Sequence, residues 1–142
     1  MVLNDASRNR NFKHKTPAKK PSCDFGSNLR SASGASTSPD WKGEGWYRMV
    51  KPAGTQFPEH HPPPVNHCGT LAVGYLTGSH PREVGQSVNR TVCFSWSHKT
   101  KCKFPCSSKC KWKSVITVIN CGGYFVYELP DTPSWCLRYC AE

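Results

Sequence analysis

No stretch of this sequence is apolar for long enough to cross a membrane. The longest run, Val115-Ile-Thr-Val-Ile119, is broken by Thr117, whereas a spanning helix needs about 20 apolar residues. The opening Met1-Val-Leu-Asn-Asp-Ala-Ser-Arg-Asn-Arg10 has no apolar h-region, so no signal peptide is visible. Aliphatic residues are sparse while Gly and Pro number 11 and 12, which argues against a large apolar core. Acids number only nine, and the eight beyond Asp5 are scattered, giving no paired carboxylates for acid–base work. The C-x-x-C knuckles of zinc sites are absent too.

What the chain has instead is cysteine. Nine are present, at 23, 68, 93, 102, 106, 110, 121, 136 and 140, and seven of them fall between Cys93 and Cys140. Irregular spacing without knuckles favours a disulfide framework, which needs an oxidising compartment. The expectation is a small, disulfide-rich, mainly β extracellular or lumenal protein: short antiparallel strands and hairpins, long irregular loops and a disordered N-terminal tail. With no leader visible, a fragment or a misassigned start of a longer secreted chain is expected. Cys102, Cys106 and Cys110 stand at C-x-x-x-C-x-x-x-C spacing, where zinc would need a fourth ligand such as His98; disulfide cysteines in a loop are the stronger reading. Neither a metal nor a cofactor is expected. An odd count leaves one thiol over or pairs it between chains.

The net charge of +10 is concentrated. Residues 1–22 hold six Lys and Arg against Asp5, and residues 97–113 hold Lys99, Lys101, Lys103, Lys109, Lys111 and Lys113 with no acid, so the remainder is close to neutral. Residues 1–40, basic and then Ser-rich, read as a disordered tail and linker, with the ordered domain over 41–142 and Cys23 as a possible tether. Nucleic acid is an unlikely partner for a disulfide protein. The lysine segment, with Phe104 and Trp112 interleaved, is an expected site for sulfated glycans or other polyanions, against the plainer reading of a solvated loop kept basic for solubility.

Within 41–142, Gly45–Val50 has strand composition, with Trp46, Met49 and Val50 expected in the core. Cys68–Tyr75 and Val92–Trp96 read as further strands. Val115–Ile119 and Tyr124–Leu129 read as a hairpin through Asn120-Cys-Gly-Gly123. His60, His61, His67 and His80 lie in turn and proline-rich segments and read as exposed side chains rather than ligands. Ser95, His98 and Asp131 are the nearest approach to a triad, without an elbow or oxyanion motif, so no enzyme is expected. Asn89-Arg-Thr91 is an N-glycosylation sequon, usable on a surface segment of a secreted chain.

These residues carry a resemblance. Gly45-Trp-Tyr-Arg48, His67-Cys-Gly-Thr70, Leu76 to Gly78 with His80-Pro81, Val92-Cys93 with Trp96, Cys110-x-Trp112, Cys121-x-Gly-Tyr-Phe-Val-Tyr127 and Leu137-Arg-Tyr-Cys140 resemble the cysteine-rich domain of the uromodulin family. The resemblance implies bridges Cys68–Cys140, Cys93–Cys110 and Cys23–Cys136, and leaves Cys102 and Cys106 to bridge each other or to serve Cys121. One family bridge is missing whole: where relatives have a cysteine after the Trp-Tyr-Arg strand, this chain runs through Phe57 to Val65 with none, and Lys109 stands where relatives have a second cysteine before Cys110. The family implies a non-catalytic recognition or adhesion module of a mosaic secreted protein, presenting glycans, with a basic polyanion-binding or antimicrobial effector as the alternative. The family's sequon positions fall here on Thr77 and Glu128, neither of which can be glycosylated; Asn89 is a different site.

Overall fold

The computed structural model describes residues 1–12, 22–24, 36–64, 67–97, 107–134 and 136–142. Strands are β1 (Val2–Leu3), β2 (Ser22–Cys23), β3 (Ser36–Thr37), β4 (Gly45–Met49), β5 (Ala72–Leu76), β6 (Ser87–Ser97), β7 (Ser107–Asn120), β8 (Phe125–Leu129) and β9 (Leu137–Tyr139), with one 3-10 turn at Ala6–Arg8. Seven form a single sheet in the order β1-β4-β8-β7-β6-β5-β9; β2 and β3 pair separately. The protein is mainly β, as its composition implied.

The long hairpin β6–β7 forms the middle of the sheet, because its β-branched residues alternate on a period of two. Val92, Phe94, Ile116 and Val118 are buried, while Asn89 and Val115 are exposed. A register shift between Phe94 and Trp96 interrupts the pairing near its Ser97–Ser107 end. Strand β7 turns into β8 through Gly122, which takes φ of 90°, and the Cys121 N–H donates to the Tyr124 carbonyl at 2.9 Å. Only glycine adopts that backbone without strain. At Gly74 of β5 the requirement is space: a β-carbon there would lie 2.7 Å from Phe94 Cε1 and 2.9 Å from the Arg138 carbonyl oxygen.

The same period corrects the expected core of β4. Residues 46 and 49 have opposite parity in a strand and cannot share a face. Tyr47 and Met49 point inward, both 1% exposed, and Trp46 is 43% exposed. The interior is largely aromatic. Trp41 stacks on Tyr47 with ring centroids 4.9 Å apart, Phe57 meets Tyr127 edge-on at 4.9 Å, and Tyr139 lies 5.5 Å from Phe94 and 5.9 Å from Phe57.

Three pieces of residues 1–40, read from composition as a tail and linker, are docked on this sheet. Strand β1 pairs parallel with β4 at one edge, and Asn9 bridges Ala141, just beyond β9, at the other. Residues 1–10 therefore join the two edges. Holding them is Arg8, fully buried and forked between Asp24 (2.6 and 2.7 Å) and Asp40 (2.5 Å). Composition cannot reveal such a cluster, since it depends on where three separate charges meet. Residues 13–21 and 25–35 lie outside the described residues.

Candidate functional site: the outer sheet face

The sheet's outer face divides into a covered half and an open half. On the β5–β9 side, Cys68 and Cys140 are disulfide-bonded with Cα atoms 5.5 Å apart, and they pack with Val73 of β5. Between β6 and β7, Cys93 is bonded to Cys110 with Cα atoms 4.8 Å apart, which fastens the root of the lysine segment. Cys136 is buried and Cys121 exposed. The Asp24 N–H donates to the Leu137 carbonyl at 2.9 Å, setting the backbone of Cys23-Asp24 beside that of Cys136-Leu137. Cys102 and Cys106, with Lys99, Lys101, Lys103 and His98, lie outside the described residues, as does the Cys23 side chain.

The open half spans β6, β7, β8 and β4. Registers place Asn89 opposite Thr117, Thr117 opposite Glu128 and Glu128 opposite Trp46, so these four form a row across the outer face. The Thr117 hydroxyl donates to one Glu128 carboxylate oxygen at 3.0 Å. Beside the row runs a groove of about 590 Å³, bordered by Glu44, Asn89, Val115, Thr117, Glu128 and Pro130. Further along β7, Lys109, Lys111 and Lys113 are exposed. The Lys111 ammonium lies 4.0 Å from the Trp96 ring centroid and 5.1 Å from that of Trp112, within cation–π range.

Of the four histidines read as exposed, His80 is a correction: it is 6% exposed. Its Nδ1 is hydrogen-bonded to the Glu59 carboxylate and its Nε2 meets the Tyr127 hydroxyl at 2.9 Å. Burial drives the ring's pKa below the ordinary value, with Glu59 opposing. Glu59 itself sits below the usual carboxylate range, because bonds from the His80 N–H and ring outweigh its burial. Both ring nitrogens are engaged and Tyr127 is wholly buried, so the group braces the loop carrying Glu59 against β8. His60 Nε2 lies 3.1 Å from the Ser79 hydroxyl, and His61 is exposed. Among the described residues no group of three or more His, Cys, Asp or Glu is arranged to hold a metal ion, and none forms a helix long and apolar enough to cross a membrane.

Residues 47–141, from the middle of β4 to just past β9, match the family model described as the "Uromodulin-like" domain. The chain belongs to the uromodulin-like domain family. Relatives of this uromodulin-like domain include the pancreatic secretory granule membrane major glycoprotein GP2 of Canis lupus familiaris, 40% identical over 99 residues, covering 69% of this chain and 18% of that protein. Uromodulin of Rattus norvegicus is 36% identical over 110 residues, covering 77% of this chain and 16% of its own length. The human GP2 glycoprotein is 40% identical over 98 residues, covering 68% of this chain and 16% of that protein. The chain thus spans less than a fifth of the curated relatives it matches. Together with the two disulfides, this membership makes it a secreted, extracellular module of the kind found inside longer mosaic proteins.

Sequence reasoning found Asn89 and the lysines of the uromodulin-like domain but not the carboxylate groove. Glu44 and Glu128 are 84 positions apart and meet only through the β4–β8 register, which nothing in either segment signals alone. The buried Arg8 and His80 were missed for the same reason.

Proposed function

We propose that this uromodulin-like domain is a non-catalytic extracellular recognition module that presents an N-glycan from Asn89. The observation that carries the reading is the placement of the sequon: Asn89 is exposed on the open outer face of β6, and Thr91 shares its parity. Glu128, one of the two positions, with Thr77, where the family resemblance places a sequon, lies two strands away in the same row, so one of those positions shares a face with Asn89. The acids and histidines support a non-catalytic role. Glu59 and His80 are bound to each other, and Asp24 and Asp40 are held by Arg8. Secreted expression followed by intact mass before and after PNGase F tests it. The mass should fall in wild type and stay fixed in Asn89→Gln; no fall in wild type ends the glycan reading.

A second reading, sulfated-glycan binding, has its own observation: Lys109, Lys111 and Lys113 are exposed on β7, with the Lys111 ammonium beside Trp96 and Trp112. Clustered cations draw such ligands from beyond contact distance. Retention on heparin should then need salt well above physiological for elution. It should vanish when all six lysines of 97–113 become Gln and persist when Lys13, Lys15, Lys19 and Lys20 do. The opposite pattern would assign the affinity to the basic N-terminal segment.

A further inference from the structure

We infer that the groove on the outer face is the seat of the glycan carried by Asn89, so that the sugar core lies along the protein instead of standing free. The inference rests on the glycosylation proposed above and adds where the glycan goes. Its starting point is attachment. Asn89 is itself one wall of the groove, and from it the row runs over Thr117 and Glu128 to Trp46. Three strand spacings of about 4.8 Å put Trp46 roughly 14 Å from Asn89, a span suited to a chitobiose core and its first mannose.

The lining suits a neutral sugar. Carboxylates accept hydrogen bonds and donate none. Glu128 has one oxygen occupied by Thr117, leaving the other to accept from a sugar hydroxyl or acetamido N–H, and Glu44 stands at the same border. Between them Val115 and Pro130 offer apolar surface for the C–H face of a pyranose, and Trp46, outside the groove's walls but next to Glu128 in the row, offers a partly exposed indole. Two acids in a protein of net charge +10 set this groove apart from the exposed lysines of the same strand, and their charge disfavours sulfated or sialylated ligands here. An added peptide strand is disfavoured as well, because β7 and β8 are already paired on both sides and have no free backbone edge.

The test uses the secreted chain made in cells held at the oligomannose stage. Release by Endo H, which cuts between the two core sugars, is timed on native and on denatured protein. A glycan seated about 90% of the time is open to the enzyme only in the lifted fraction, so native release should be about tenfold slower than denatured release. Glu128→Ala and Trp46→Ala, both at exposed positions, should bring native release to within about twofold of the denatured rate, with the wild-type disulfide map unchanged. Each other outcome overturns the inference. Absence of any glycan removes the function proposed above as well. A glycan released equally fast in both states leaves that function standing and removes the seat. Slow native release that persists in both variants, or that disappears on dilution together with a dimer seen by sedimentation, places the shielding elsewhere.

Discussion

Arg8→Ala takes a fully buried guanidinium out from between two carboxylates. Arg8 donates from Nη1 and Nη2 to Asp24 at 2.6 and 2.7 Å, from Nε and Nη2 to Asp40 at 2.9 and 2.5 Å, and from Nη1 to the Tyr139 carbonyl at 3.0 Å. Asp24 is itself fully buried, so the variant strands a carboxylate where water cannot reach it. Breaking a buried pair in this way costs about 3–5 kcal/mol, out of a total stability of about 5–15 kcal/mol for a domain. With a urea m-value of about 2 kcal/mol/M, the midpoint should fall by about 2 M. Because residues 1–10 join the sheet's two edges, protection of β1 and β9 amides against exchange should be lost with it. Arg8→Lys, which keeps the charge but not the fork, should lie between the two. The pH dependence has a definite sign. Burial pushes the Asp40 carboxyl up, but the Arg8 hydrogen bond and charge outweigh this and hold it below its ordinary 3.8. A depressed carboxylate contributes its stability above that ordinary value and loses it as pH falls through the folded one. Wild type should therefore lose stability more steeply than Arg8→Ala as pH drops below about 4. A midpoint shift under about 0.3 M, with unchanged acid dependence, would refute the account of Arg8 as the clasp of the sheet.

The sequence separations of 72 and 17 residues give chain-entropy terms of about 4 and 3 kcal/mol for Cys68–Cys140 and Cys93–Cys110. Paired Ser variants should lose stability in that order in urea, and the reverse order would remove loop closure as the cause. A non-reducing peptide map should recover Cys23 linked to Cys136, as the Asp24-to-Leu137 hydrogen bond invites; a Cys23 peptide linked elsewhere ends that assignment. Burial holds His80 below its ordinary 6.5 against the pull of Glu59, so the unfolded chain takes up more protons there and stability should decline as pH falls below 6.5. His80→Gln should flatten that decline, and parallel wild-type and variant curves would show that His80 is not held neutral.

Much of the fold was legible because its signals are local. The β7–β8 hairpin announces itself through β-branched alternation and two glycines, and the cysteine density announces cross-links. The family resemblance supplied what spacing could not, since nine cysteines admit many pairings and only the family's pattern chooses among them. Reading failed where burial inverts a residue's usual habit. Arg8 sits in a basic, polar stretch that composition assigns to solvent, and it is buried because Asp24 and Asp40 meet it from two other segments. His80 lies between a serine and a proline, a turn context, and is enclosed because Glu59 and Tyr127 satisfy both its nitrogens. Trp46 failed in the other direction: a large apolar side chain was assigned inward although the alternation fixed by Tyr47 and Met49 sends it out.

The division of the molecule into two halves bears on how the domain can act. One cross-link and the buried charges gather where β5, β9 and residues 5–8 meet: Cys68–Cys140, the Arg8 cluster, and Arg138 with its bonds to Ser7 and the Cys68 carbonyl; the other cross-link, Cys93–Cys110, ties β6 to β7 near their Ser97 and Ser107 ends. The row of Asn89, Thr117, Glu128 and Trp46 and the groove beside it include none of these groups. Substitutions at Trp46, Val115, Thr117 or Glu128 should therefore change stability by no more than about 0.5 kcal/mol, as at other surface positions. The face proposed to carry the glycan is thus uncoupled from the buried charges and the Cys68–Cys140 bridge that hold the fold. Strand β7 carries exposed lysines at one end and borders a carboxylate groove at the other, 109–113 against 115–117. Cations at one end and anions at the other cannot serve a single charged ligand. A sulfated glycan and a neutral, covalently held sugar would consequently occupy different ends of one strand, and removing either should leave the other in place.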